Sequence, residues 1–404
     1  LTRIAAKLAM IAIALIVGRP AVAADLDNWD EIAARARGQT VYFNAWAGDP
    51  QTNAFIDYVG SEASKRYGIK VEHVNLKDTA EAVTRVVAEK AAGRNEGGSV
   101  DLIWINGPNF LAMKSQNLLF GPFGEMLPNY RYVDTTHKLS NLIDFTVPVD
   151  GYEVPCRMAQ VVFVYDSART PLDTLPKTVP AMLDWAKAHP GRLTHPNVRN
   201  FLGATFLKQA LYELTPDSQV LQQPATDQDF SEVTAPLWQW YDSLKPLLWR
   251  QGEEFPDSGP AQRQLLADGE IDLAISFDPA EAAVGISNGV LPPSTRVYVL
   301  DGGTIGNTSF LAIPFNASHK EGAMLVANLL LDPAIQARAQ DPKTMGSFTV
   351  LDLGKLDADQ RQLFDRPADA IGLPTNAELK TPLLEPHPSW MTRIIAEWER
   401  RYVK

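Results

Sequence analysis

At 404 residues the chain is too long for one compact core and predicts two lobes or domains. Its 45% hydrophobic and 21% charged residues exclude a disordered or low-complexity protein. The formal charge of −11 argues against nucleic acid or an anionic membrane as the main partner.

The first stretch reads as an export signal rather than as fold. Arg3 and Lys7 make a basic start, "LAMIAIALIVG" (8–18) is an apolar run, and "AVA" (21–23) supplies small residues before a cut near Ala23 or Ala24. Together these predict a secretory signal peptide over 1–24 and a periplasmic protein. The apolar run is shorter than the ~20 residues that a spanning helix needs. No Cys stands at the cut to carry a lipid. Beyond the signal the chain holds 34 basic and 48 acidic residues, a formal charge of −14. Cys156 is the only cysteine, so an internal disulfide is excluded and stability rests on core burial.

"QTVYFNAW" (39–46) is strand-like, and "QTNAFIDYVGSEASKRYG" (51–68) spaces its apolar residues as a helix does. "IKVEHVNL" (69–76) alternates with period two. "DTAEAVTRVVAEKAAG" (78–93) is helical, "SVDLIWING" (99–107) is a buried strand, and "NFLAMKSQNLL" (109–119) is a third helix. This β-α-β-α-β-α order predicts a parallel sheet with helices on its faces. A strand-rich patch without helical period follows at 145–166. Helices return at 178–190, at 200–214, and around 233–249, where Pro236 and Pro246 are expected to interrupt. "GEIDLAISF" (269–277) is another buried strand, followed by helix "PAEAAVGIS" (279–287). A second irregular strand segment spans 295–315. A helix over 318–340 breaks near Pro333, and short helices finish the chain.

The two irregular strand segments suggest a chain that crosses between two α/β lobes, with the crossings as hinges. "VVFVYD" (161–166) is too apolar for an ordinary linker, which favours strands shared between lobes.

In open α/β sheets ligands bind outside the carboxyl ends of strands. Three such ends carry polar and aromatic groups: the turn from Asn44 to Asp49 with Trp46, the turn Asn106-Gly107-Pro108-Asn109, and Phe277-Asp278. Asp49 and Asn109 are read equally well as plain helix caps. Trp46 is harder to explain as structure, because a ligand or the opposite lobe must cover its apolar face. Phe201 opens a helix and is placed to face the cleft from the other lobe. Arg157, in the first crossing, suits either an anionic group or an inter-lobe ion pair. In "GGTIGNTSF" (302–310), which holds Asn307, three glycines admit either a close ligand or a turn at a bend.

Signals for catalysis are weak. "GISNG" (285–289) matches the nucleophile pattern at Ser287, but a helix precedes it where a strand is required. The six histidines show no metal-ligand spacing. Tyr130 and Tyr132 lie in a polar loop, far from the strand-end turns that a ferric site would use. No cofactor, no metal and no enzymatic activity are expected.

"VYFNAWAGDPQTNAFIDYV", "DLIWINGPNF", "YEVPCRMAQVVFVYDS", "GEIDLAISFDPAEA" and "GTIGNTSFLAIPFNASHKEGAMLVANLLLDPAIQARA" resemble the extracellular solute-binding proteins of ABC importers. Within that superfamily the chain is most similar to Ynj-type periplasmic components. The resemblance covers essentially the whole chain beyond the signal. It implies a type II periplasmic-binding-protein fold, two α/β lobes joined by crossing hinge strands around an interlobe cleft. Lobe one is expected at 25–156 and 298–340, and lobe two at 160–296 and 345–404. On the matching turns it implies ligand contacts at Trp46, Asp49, Asn106, Asn109, Asp278 and Asn307, beside the candidates Arg157 and Phe201. The partners implied are a small polar solute and an inner-membrane ABC permease. A chain that supplies its own cleft is expected to be a monomer. An aromatic plate with Asn, Asp and backbone groups suits a polar organic solute, and Trp faces also attract cations. Two other readings stay open: a secreted α/β hydrolase acting through Ser287, and a ligand sensor for a membrane receptor.

Overall fold

The computed structural model describes residues 28–365 and 370–403, so the expected signal peptide lies outside the described residues. The chain runs α1 (Trp29–Ala36), β1 (Thr40–Trp46), α2 (Pro50–Tyr67), β2 (Lys70–Leu76), α3 (Ala80–Ala91), β3 (Leu102–Ile105) and α4 (Pro108–Ser115). A short hairpin, β4 (Ile143–Asp144) and β5 (Val147–Pro148), precedes β6 (Glu153–Gln160) and β7 (Val162–Asp166). Then come α5 (Val179–Ala188), α6 (Phe201–Leu214), α7 (Asp227–Leu244), α8 (Gly259–Ala267), β8 (Leu273–Ser276), α9 (Glu281–Ser287), β9 (Thr295–Tyr298) and β10 (Gly306–Ala312). The chain ends with α10 (Lys320–Leu330), α11 (Pro333–Gln340), α12 (Ala358–Gln362), α13 (Asn376–Leu379) and α14 (Pro388–Tyr402).

Helix α2 illustrates why these residues form these elements. Asp49 caps it by accepting the Thr52 N–H, Pro50 opens it, and Gly68 ends it in the left-handed region. Thr52, Phe55, Ile56, Val59 and Ala63 make its buried stripe. Pro333 likewise opens α11 behind the Asp332 cap, which explains the break in the 318–340 segment. Pro236 does not interrupt its helix, contrary to expectation. Helix α7 runs through it from Asp227 and ends before a 3-10 turn that contains Pro246. The buried face carrying Thr234, Leu237, Trp238 and Tyr241 holds the helix in place despite the lost backbone donor.

The strands form two main sheets. The first has the order β2-β1-β3-β10-β6, with β1, β2 and β3 parallel and β10 antiparallel to both β3 and β6. The second has the order β8-β7-β9, with antiparallel neighbours. Alternation along each strand feeds a core on either face. On the first sheet Leu102 and Leu311 pack with α1, α2 and α10, while Ile103 and Phe310 pack with α3 and α4. On the second, Phe163, Tyr165 and Ile275 pack with α5, α6, α7 and α14, while Val162, Val164 and Ala274 face Leu266 of α8.

The chain crosses between the sheets twice. Val161 alone separates β6 from β7, and residues 299–305 separate β9 from β10. The crossings are joined, since the Val161 N–H donates to the Ile305 carbonyl at 2.8 Å. The tail joins them too: the Leu383 N–H donates to Thr304 and the Gly306 N–H to Leu383. A Cβ at Gly306 would stand 2.5 Å from Pro382. The glycine at this point of the second crossing therefore admits the protein's own tail.

Met345, Val350, Leu351, Leu356 and Phe364 pack in the first-sheet core. Trp390, Met391, Ile394 and Trp398 pack in the second.

Candidate functional site

A cavity of about 530 Å³ lies between the two sheets' layers, walled by strand ends and helix starts from both. All eight residues singled out from the sequence line it: Trp46, Asp49, Asn106, Asn109, Arg157, Phe201, Asp278 and Asn307. From the first layer come the end of β1, the turn before α4, and the faces of β6 and β10. From the second come the first turn of α6 and the turn after β8.

Trp46 closes β1, and its indole lies over the turn that follows. A Cβ at Gly48 would stand 2.2 Å from that ring, so only glycine admits the indole there. Asn106 and Asn109 sit on either side of Gly107, whose φ is +58°. The Gly107 N–H donates to Asp144 at 2.7 Å, so the β4–β5 hairpin braces this turn from behind. Phe201 packs edge-on against Phe277, 5.5 Å between ring centroids, and both line the cavity.

Charges bridge the two layers. Arg263 of α8 donates Nη1 to Glu281 at 3.0 Å and Nη2 to Asp49 of the opposite layer at 3.3 Å. Arg157 of β6 donates Nη2 to Asp278 of the opposite layer at 2.5 Å. Of its two readings, Arg157 thus makes the inter-lobe ion pair. Burial pushes the Asp278 carboxyl up to about 6, against the pull of Arg157, with Glu281 and Asp49 adding to the rise. Asp278 also accepts the Ala280 N–H at 2.9 Å.

Behind the wall lies a buried pair. Lys208 of α6 and Glu385 meet at 2.6 Å with almost no exposure. Glu385 also accepts from Asn307 Nδ2 at 2.8 Å, which fixes the Asn307 amide. Lys208 Nζ stands 4.4 Å from the Phe145 ring centre and 5.0 Å from that of Phe201. Burial lowers the lysine and raises the glutamate from their ordinary values.

Arg263, Glu281, Trp104, Lys208 and Glu385 were missed from sequence. Arg263 lies in "SGPAQRQLLA", where Ser258 caps and Pro260 follows, a helix-start signal that was readable. Trp104 and Glu281 lie beside strand-end turns already singled out, whereas Lys208 and Glu385 meet behind the cleft wall only through the tertiary fold. Ser287 ends α9 with its side chain exposed, so the strand-to-helix elbow is absent there. Tyr130 and Tyr132 pack against the first-sheet core and are not among the cavity's lining residues. Cys156 is a free thiol whose Sγ–H donates to the Ser309 carbonyl at 3.3 Å. Among the described residues no helix is long and apolar enough to cross a membrane.

Two α/β lobes, two joined crossings and a cleft between them define a type II periplasmic-binding-protein fold. Solved structures agree. The Tp0655 (TpPotD) lipoprotein of Treponema pallidum matches with a TM-score of 0.65 at 14% identity, over 89% of this chain and 98% of that one. Iron-bound HitA of Pseudomonas aeruginosa matches at 0.61 and 15% identity, over 90% and 99%. The family model for bacterial extracellular solute-binding proteins matches residues 59–352, and the chain belongs to that family. It is 42% identical over 381 residues to Protein YnjB of Escherichia coli strain K12, covering 94% of this chain and 95% of that protein. Its role is that of the solute-binding component of an ABC import system, with a permease as partner.

Proposed function

We propose that the protein works in the periplasm as a monomer, capturing a small polar solute and delivering it to an inner-membrane permease. One observation carries this reading: a cavity built from strand ends of both lobes, with Trp46 on one wall and Phe201 on the other. Capture needs no covalent chemistry. Contacts to both lobes favour the closed arrangement over the open one, and the cleft shuts around the solute. Trp46, Asp49, Asn106, Asn109, Arg157, Phe201, Asp278 and Asn307 form the proposed lining of the solute site. Lobe one takes residues 28–160 and 306–364, and lobe two takes 161–305 and 375–403. Leu356 and Phe364, which pack in the first-sheet core, support a return to lobe two after 364 instead of at 345.

The test is tryptophan fluorescence with thermal shift on the mature protein, against sugars, amino acids, polyamines, phosphonates and neutral heterocycles. A true solute raises the melting temperature by mass action. Trp46→Ala is expected to weaken that solute's binding roughly 10- to 100-fold, about 1.4–3 kcal/mol of lost stacking. A hit whose affinity Trp46→Ala leaves unchanged would remove this cavity as the binding site. Sedimentation showing a stable dimer at micromolar protein would overturn the monomer.

A further inference from the structure

The charged groups inside the cleft are already spent on one another. Arg263 is held between Glu281 of its own lobe and Asp49 of the other, at 3.0 and 3.3 Å. Arg157 is held by Asp278 across the cleft at 2.5 Å. All five side chains are four-fifths or more buried. Three carboxylates thus meet two guanidiniums, and the third is balanced where it stands, since Asp49 caps the positive end of α2. At the rim Arg199 is paired with Glu399, and Lys77 and Asp78 are exposed to solvent.

An anionic solute gains either guanidinium's charge only by displacing a protein carboxylate, since even the open Arg157 Nε belongs to a guanidinium that Asp278 already neutralises. A cationic solute reaches a carboxylate only by stripping it from its guanidinium. Each exchange strands a buried protein charge, which is the costly way to break an ion pair.

What the wall offers instead is uncharged. Asn106, Asn109, Asn307 and Ser309 supply amides and a hydroxyl. Arg157 Nε and Asn307 Oδ1 are buried and lack a hydrogen-bond partner, one donor and one acceptor. They lie on adjacent strands, since Arg157 pairs with Ser309 and Asn307 with Ala159. Aromatic faces stand on both sides, Trp46 and Trp104 from one lobe and Phe201 and Phe277 from the other.

We propose that this cleft selects an uncharged polar solute with a ring face, because its buried guanidiniums and carboxylates are matched across the lobes and leave only neutral donors, acceptors and aromatic walls. This rests on the reading of the cleft as the solute site. It makes Asp49, Asp278 and Glu281 specificity residues whose task is to silence Arg157 and Arg263.

The experiment compares wild type with Asp49→Asn/Asp278→Asn by thermal shift and calorimetry, using inorganic phosphate and spermidine as probes. Asn keeps the α2 cap, and the single Asp49→Asn variant serves as a second, milder test. Wild type should respond to neither probe. The double variant frees Arg157 and leaves Arg263 with Glu281 alone, and it should bind phosphate at least about tenfold more tightly than wild type. Asp49→Asn should shift the same way to a smaller degree. A wild-type response to phosphate or spermidine overturns the inference while leaving solute capture intact. Variants as indifferent to phosphate as wild type overturn it as well. Failure of the cleft itself would register separately, in the Trp46→Ala titration.

Discussion

His195 is fully buried, stacked between Phe206 and Phe255 with centroids 4.7 and 4.8 Å away, and bonded through Nε2 to the Tyr241 hydroxyl at 2.9 Å. Burial lowers it to about 4, against 6.5 for a free imidazole. The unfolded chain therefore takes up this proton before the folded one does. The contribution is fully present above pH 6.5 and is lost as pH falls toward 4, about 3 kcal/mol over that window. Melting temperature should fall between pH 7 and 4.5, and less steeply in His195→Gln. An equal slope in both would assign the acid sensitivity elsewhere. Gly48→Val places carbon where the Trp46 indole lies, so the ring must leave its seat. Its fluorescence spectrum should shift and solute affinity fall, while stability in urea unfolding drops by less than about 2 kcal/mol.

At the scale of elements, α6 carries a charge into the core. It buries Gly203 through Leu211 without a break, Lys208 included. Lys208→Met leaves Glu385 unpaired in the core and should cost about 3–5 kcal/mol in urea unfolding. Lys208→Met/Glu385→Leu should recover much of that loss, as removing both partners strands neither. If the double variant is as unstable as the single, the pair is not what holds α6 to the tail. The same scale shows what was readable from sequence. The first three strand–helix units were legible because each keeps one period between clear stops, as "QTNAFIDYVGSEASKRYG" does. The strand-end turns were legible because polar and aromatic residues stand where a buried strand must finish. Helix α8 shows a readable start at Ser258 and Pro260, but "GPAQRQLLA" carries too little apolar periodicity to extend it. Helix α7 was misread at Pro236, where tertiary packing outweighs one missing hydrogen bond. The glycines of the second crossing kept two readings open, because no local pattern says whether a ligand or a tail comes near.

At the scale of the whole molecule, the lobes are clasped by Arg263–Asp49 and Arg157–Asp278 on either side of the cavity. Neither pair is visible in sequence, because its members lie 121 or more positions apart and meet only when the crossings fold the lobes together. Arg263→Gln removes one clasp. It should shift the closed-to-open ratio by roughly 30-fold, about 2 kcal/mol for a charged hydrogen-bonded pair. Small-angle scattering of the unliganded variant should give a larger radius of gyration than wild type. An unchanged radius would mean that closure does not depend on Arg263.

The joined crossings bear on time as well as on shape. Val161, Ile305 and the Leu383 segment are tied by backbone hydrogen bonds into a three-ply pivot. Such a pivot opens as a unit, together with the clasps, before anything inside can leave. The lifetime of the bound state is then set by how fast the lobes reopen against the solute's own contacts to both walls. Solutes of unequal fit would be caught at much the same rate and held for different times.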